Sequence, residues 1–136
     1  MSLRPEKRMA IPCLYYTHYV VFALVSELSG SLEGGAEAIF EIGKRVGERL
    51  RPFIKDRSPR GVWEALFFRS PNRVLKTREG WILEDVECPL CEGMELEEGA
   101  TYCHFLAGLL AGILGREVKE IECKAGGADA CRFFIR

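Results

Sequence analysis

The 136-residue sequence lacks a long apolar run, an excess of either charge and a supply of histidine. No apolar stretch reaches the roughly 18 residues typical of a membrane-spanning helix, so none is predicted. Nineteen Lys and Arg side chains nearly balance twenty Asp and Glu, which provides no positive field for nucleic acid. Only two histidines are present, and P-loop, GxGxxG and Ser-His-Asp patterns are missing. We therefore expect a soluble cytoplasmic protein that binds rather than catalyses, with no catalytic residues assigned.

Cysteine, in contrast, is abundant, with six residues in the chain. Two of them form a C-x-x-C at Cys88 and Cys91. In a reducing compartment, clustered cysteines are more often metal ligands or redox groups than structural disulfides. A thioredoxin-type C-x-x-C opens a helix directly after a strand, whereas Glu92 and Gly93 follow this one. The pattern favours metal binding over redox chemistry.

The stretch ECKAGGADAC places two cysteines on either side of a Gly-Gly turn near the end of the sequence. If residues 126–128 form the turn, Cys123 faces Cys131 with Cβ atoms about 4.5–5.5 Å apart. That separation suits two thiolates on one zinc ion and also tolerates a disulfide. Geometry leaves both open, and the reducing compartment favours metal. The candidates for further ligands are Cys88, Cys91, Cys103, His104 and Glu120.

Apolar spacing predicts an α+β fold in a single domain spanning residues 1–136, with residues 1–12 as a candidate disordered tail. The expected elements are helices over residues 13–28, 31–55 and from Ser58 to about residue 70, a hairpin around Glu79-Gly80, a helix over 95–115 and a hairpin around Gly126-Gly127. The order α-α-α-β-β-α-β-β predicts an antiparallel four-stranded sheet with helices packed on it. Small residues at Gly108, Ala111 and Gly112 predict that another element packs closely against the last helix.

The segment CHFLAGLLAGILGREVKEIECKAGGADACRFFI resembles the 4-vinyl-reductase-type domain family. The resemblance rests on a Cys opening a Gly-rich helix, a strand ending E-x-x-C, a Gly-containing turn and a second Cys followed by aromatic residues. It covers about a quarter of the chain. Relatives include the sensor domains of aromatic-hydrocarbon-responsive bacterial activators and, more distantly, TRAPP vesicle-tethering subunits.

The resemblance implies a zinc ion held by Cys103, Glu120, Cys123 and Cys131, with Cys88 and Cys91 as alternative ligands. A site with four protein ligands is structural rather than catalytic. In an ideal strand Glu120 and Cys123 point to opposite faces, because side chains alternate with period two. The zinc site therefore requires that the strand end or bulge near Glu122.

An apolar or aromatic ligand is the expected small-molecule partner, in a closed cavity between helices and sheet. The resemblance points to Trp81 and His18 as ligand-binding residues, and Phe105 and Trp63 add aromatic bulk. The leading hypothesis is a zinc-stabilised sensor or carrier. The alternatives are a TRAPP-like structural protein that dimerises through its apolar N-terminal helices and, ranked last, a vinyl-group reductase. A homodimer is expected under either of the first two.

Overall fold

The computed structural model describes residues 35–88, 91 and 95–136, together with Leu24 and Glu27. The described helices and strands are α1 (Gly35–Leu50), α2 (Pro59–Phe67), β1 (Arg73–Lys76), β2 (Trp81–Asp85), α3 (His104–Leu114), β3 (Val118–Glu122) and β4 (Cys131–Ile135). The α+β class and the predicted element order are confirmed over these residues. Of the helix predicted over residues 13–28, only Leu24 and Glu27 are described, and both are helical. The single domain over residues 1–136 and its tail stay predictions, because most of residues 1–34 lie outside this description.

The four strands form one antiparallel sheet in the order β1-β2-β4-β3. Each predicted hairpin forms, and pairing of β2 with β4 joins the two into one sheet. Leu83 of β2 and Phe133 of β4 are register partners and are both fully buried on the face that the helices cover. Within the described residues, no helix is both long and apolar enough to cross a bilayer.

Helices α1 and α3 pack with their backbones in close approach. A Cβ atom added at Gly47 of α1 would lie 2.4 Å from the carbonyl oxygen of Leu109. One added at Gly112 of α3 would lie 2.1 Å from the carbonyl oxygen of Lys44. Real side chains do not tolerate such distances, so glycine is required on both helices. The close packing predicted from the small residues of α3 is confirmed, and α1 is the partner.

The prediction that α3 begins near Glu95 is wrong, because the helix begins at His104. The preceding segment pairs with the β3–β4 turn instead: the Leu96 N–H donates to the Ala125 carbonyl (2.6 Å) and the Gly99 N–H to the Gly126 carbonyl (2.9 Å). Gly99 has a φ of +81°, a left-handed conformation incompatible with a right-handed helix. Tertiary hydrogen bonds therefore outweigh the helix propensity of Glu97 and Glu98.

Candidate metal centre and neighbouring cleft

Five cysteines and one glutamate converge where the sheet meets the start of α3. Cys103 immediately precedes α3, Cys131 is the first residue of β4, and Cys123 follows β3. Each of the five cysteines is buried and free of disulfide bonds. We refer to Cys88, Cys91, Cys103, Glu120, Cys123 and Cys131 as the six-donor cluster.

The distances within the six-donor cluster match those of metal ligands. The Sγ–Sγ distances are 3.4 Å for Cys88–Cys103, 3.3 Å for Cys91–Cys131 and 4.0 Å for Cys123–Cys131. Four sulfurs on one tetrahedral zinc, each about 2.3 Å from the ion, lie about 3.8 Å apart. An S–S bond would require about 2.05 Å. The described thiols are therefore spaced for a shared cation rather than for disulfides.

Two sets of four donors satisfy the distance requirement for one ion. In each set, every ligand atom lies within 4.8 Å of the others. The sets are Cys103, Glu120, Cys123 and Cys131, and Cys88, Cys91, Cys103 and Cys131. The structure thus brings together both the ligand set that the family resemblance implies and the alternative cysteines. Metal binding by these residues stays a prediction.

A β-bulge in β3 places Glu120 and Cys123 on the same side of the strand. Glu120 pairs with Phe133 and Glu122 with Arg132, so the pairing register shifts by one residue between them. Because a bulge inserts one unpaired residue, it inverts the alternation of the side chains that follow. Glu120 and Cys123 are consequently both buried, while the intervening Ile121 and Glu122 are exposed. The sequence requirement for a bulge near Glu122 is met.

Glu120 is oriented by the backbone that leads into α3. Its Oε1 atom accepts hydrogen bonds from the N–H groups of Tyr102 and Cys103, both at 2.9 Å. Its Oε2 atom is buried and has no hydrogen-bond partner. A buried carboxylate oxygen without a partner is energetically costly, and a bound cation would satisfy it.

The acid–base properties of the cluster are strongly perturbed. Burial raises the pKa of Glu120 to about 7, although the N–H of Cys103 opposes this shift. Hydrogen bonding, most strongly with Cys103, lowers the pKa of the Cys91 and Cys123 thiols. Hydrogen bonding with the other four cysteines, most strongly with Cys123, and burial raise the pKa of the Cys103 thiol. Some sulfurs of the cluster thus favour the thiolate form that binds metals.

We expect the metal-free protein to lose stability as pH rises, owing to Glu120. Its pKa of about 7 exceeds the ordinary value of 4.5, so between these values the folded state binds more protons than the unfolded state. The contribution of Glu120 to the free energy of unfolding is fully present below pH 4.5. It is lost as pH rises through 7, and the loss amounts to about 3 kcal/mol at most. Urea denaturation of the metal-free, reduced protein between pH 4.5 and 8 measures this loss.

Glu120→Gln is the control for this pH dependence, because its amide stays neutral while its carbonyl can still accept the Tyr102 and Cys103 N–H bonds. Cys103 and Cys123 also contact Glu120 and titrate, so the informative quantity is the difference in unfolding free energy between wild type and Glu120→Gln. A difference that stays constant with pH would contradict the assigned shift.

An ion pair and hydrogen bonds fix the end of β2 and the residues that lead to Cys88. The guanidinium of Arg69 donates to both carboxylate oxygens of the fully buried Asp85, at 2.6 and 2.7 Å, and to the carbonyl of Glu87 at 2.8 Å. The Lys124 ammonium donates to the Val86 carbonyl at 2.5 Å. These contacts hold the end of β2 next to Cys88. Sequence spacing gave no signal for the Arg69–Asp85 pair, because the two residues are 16 positions apart.

The predicted ligand-binding aromatic residues lie in different surroundings. Trp63 is fully buried, its ring centroid 4.5 Å from that of Phe67 and 6.1 Å from that of Phe133. Phe105 belongs to the core. Trp81 is half-buried, and the Cζ atom of the Arg116 guanidinium lies 4.8 Å from the centroid of its ring. His18 lies outside the described residues. None of the three described candidates, Trp63, Phe105 and Trp81, lines the cleft described next, and their role in binding stays a prediction.

An open cleft of about 420 Å³ borders the six-donor cluster at Glu120. Its walls come from the start of α1, from the segment around α3 and from β3: Ala36, Glu37, Phe40, Glu41, Thr101, His104, Ala107, Val118, Lys119 and Glu120. The His104 ring contacts the Thr101 carbonyl through Nε2 at 3.1 Å, as expected for a hydrogen-bonded, partly buried histidine. The cleft is open, and the closed cavity predicted from the sequence stays a prediction. Phe40 was missed as a lining residue, because helical spacing marks it only as apolar.

Comparison with known proteins identifies relatives of the sequence and of the fold. No protein-family model matches the sequence. The chain is 35% identical over 106 residues to the uncharacterized protein MJ0745 of Methanocaldococcus jannaschii, covering 71% of this chain and 54% of that protein. It thus spans about half the length of this curated relative.

Two crystal structures resemble the fold. A trafficking protein particle complex subunit 3 from Naegleria fowleri, covalently bound to palmitic acid, matches with a TM-score of 0.66 and 16% identity, over 90% of this chain and 96% of that one. A vinyl-4-reductase family protein from Methanocaldococcus jannaschii matches with a TM-score of 0.52 and 19% identity, over 100% of this chain and 83% of that one. The fold is common to all three. At these identities the likeness concerns architecture alone.

Proposed function

We propose that the chain is a zinc-stabilised domain that binds a small apolar or aromatic molecule, as a sensor or carrier. The observation that carries the proposal is the contact between a ligand-sized cleft and a cluster of metal-binding groups through one residue, Glu120. Pockets of several hundred Å³ are typical of small-molecule sites. The resemblance to aromatic-hydrocarbon sensor domains supports the same class of function, and the fold shared with the vinyl-4-reductase family protein is compatible with it.

The walls of the cleft favour a neutral ligand. Ala36, Phe40, Ala107 and Val118 provide apolar surface. Apart from Glu120, which is a candidate metal ligand, the charged lining residues are Glu37, Glu41 and Lys119, with a net charge of -1. A ligand carboxylate would therefore meet net negative charge. We infer that neutral aromatic compounds bind in preference to free fatty acids, although the trafficking subunit of similar fold carries palmitic acid.

Titration with 1-naphthol and with palmitate tests this proposal, and we expect 1-naphthol to bind at least tenfold more tightly. Ala36→Trp should abolish naphthol binding, because Ala36 is exposed at the cleft and tolerates a large side chain that fills it. Glu48→Trp is the matched control: it adds the same ring to an exposed position of α1 that does not line the cleft. If calorimetry detects no naphthol binding to the wild-type protein, the cleft is not the binding site. The same conclusion follows if both variants lose naphthol binding equally.

A second function, assembly as a homodimer, is favoured by an exposed apolar stripe on α1 and the turn that follows it. Ile42, Val46 and Phe53 are 43%, 38% and 83% exposed. Ile42 and Val46 lie four residues apart and so share one side of α1, and Phe53 belongs to the turn that follows. The similar trafficking protein is itself a complex subunit. We infer that a second copy of the chain covers this stripe.

Sedimentation velocity measures the assembly directly. The wild-type protein should sediment as a dimer at micromolar concentration, and Val46→Glu should sediment as a monomer. Arg45→Glu, an exposed position on the same helix, should stay dimeric. A monomeric wild-type protein would exclude the dimer.

A further inference from the structure

The two donor sets of the six-donor cluster overlap in a specific way. Both contain Cys103 and Cys131. Cys88 and Cys91 belong only to one set, and Glu120 and Cys123 only to the other. Each set thus consists of two private donors and two shared sulfurs.

Each shared sulfur lies close to private donors of both sets. The Cys131 Sγ is 3.3 Å from that of Cys91 and 4.0 Å from that of Cys123, which belong to different sets. The Cys103 Sγ is 3.4 Å from that of Cys88 and also lies within 4.8 Å of the ligand oxygen of Glu120. A thiolate has several lone pairs and can bridge two cations. Two tetrahedra that share this pair of sulfurs would use all six donors.

A single ion leaves two buried donors unused. If the ion occupied the four-cysteine set, Glu120 would keep a buried Oε2 atom without a partner, since its other oxygen already accepts two N–H bonds. If it occupied the set with Glu120, the thiols of Cys88 and Cys91 would stay beside it without a role.

We propose that the six-donor cluster holds two divalent thiophilic cations bridged by the thiolates of Cys103 and Cys131. One cation is completed by Cys88 and Cys91, and the other by Glu120 and Cys123. Binding displaces the thiol protons to solvent, as metal binding to cysteine requires. The inference rests on the metal-binding part of the proposed function and extends it from one ion to two.

Native mass spectrometry of the full chain reconstituted with Zn²⁺ tests the stoichiometry. Two ions per chain are expected. One ion per chain would overturn the binuclear centre while leaving the proposed zinc-stabilised domain intact, and no ion would overturn both. The double variant Cys88→Ser/Cys91→Ser should keep one ion, as should Glu120→Gln/Cys123→Ser, because each retains one private pair and both shared sulfurs.

Cadmium-113 NMR of the protein reconstituted with ¹¹³Cd²⁺ alone tests the bridging. We expect two resonances, one from an all-sulfur environment and one from a site with three sulfurs and an oxygen, with scalar coupling between the two cadmium nuclei through the shared sulfurs. Two uncoupled resonances would show separate sites and overturn the bridge. The wild-type protein alone gives this result, so the test does not depend on the folding of any variant.

Discussion

Gly47→Val should lower the free energy of unfolding by about 3 kcal/mol, because α1 and α3 would have to separate. The first added carbon would already lie 2.4 Å from the Leu109 carbonyl oxygen. That neighbour is backbone, so no rotation of a side chain relieves the clash. A Cβ atom added at Gly112 would likewise lie 2.1 Å from the Lys44 carbonyl oxygen, so neither helix can move toward the other to make room.

Urea denaturation of Gly47→Val and Arg45→Val separates this clash from the general cost of valine in a helix. Arg45 is exposed on the same helix, so Arg45→Val carries only the propensity cost, about 0.5 kcal/mol. Gly47→Ala provides a milder variant that should still be less stable than wild type, even though alanine raises helix propensity. Equal stability of Gly47→Val and Arg45→Val would show that the helices are not in close contact at this glycine.

Metal removal should have the larger effect, lowering the melting temperature by about 10 °C or more. A ligand that binds only the folded state at a thousand times its Kd adds about 4 kcal/mol of stability, and zinc in small domains often exceeds this. For a domain of this size each kcal/mol corresponds to about 3–5 °C. The six-donor cluster joins β2, β3, β4 and α3, so its loss should loosen all four elements.

Cys131→Ser tests whether the stabilisation passes through the cluster. Cys131 belongs to both donor sets, so its replacement should abolish most of the difference in melting temperature between the metal-loaded and metal-free protein. The control is internal: in the metal-free state wild type and variant should melt within a few degrees of each other. A variant that keeps the full metal-dependent increase would exclude Cys131 as a ligand.

The architecture was predictable because its signals are local. Apolar spacing, the helix start predicted at Ser58 and the turn at Glu79-Gly80 each depend on signals within a few residues, and the structure has a helix or hairpin at each. The start of α3 was not predictable in this way. Residues 95–103, which precede the helix, are held by hydrogen bonds to Ala125 and Gly126. These partners lie about 30 positions away along the chain, so local helix propensity does not reveal them.

The site was predictable in composition more than in geometry. Alternation in a strand shows that Glu120 and Cys123 need a bulge to share a face, but only strand pairing shows where the extra residue lies. The position of Cys88 depends on the end of β2 and the residues that follow it, which the Arg69–Asp85 and Lys124–Val86 contacts fix. Both are long-range contacts, and they cannot be predicted from residue spacing along the chain.

The metal content of the purified protein tests the central claim most directly. The protein should be purified without chelator under reducing conditions, and its zinc measured by elemental mass spectrometry against a protein concentration from amino-acid analysis. We expect at least one equivalent of zinc per folded chain, with the cluster thiols unreactive until a chelator is added. A folded protein without bound metal, whose thiols react freely and whose melting temperature is unchanged by chelator, would contradict it.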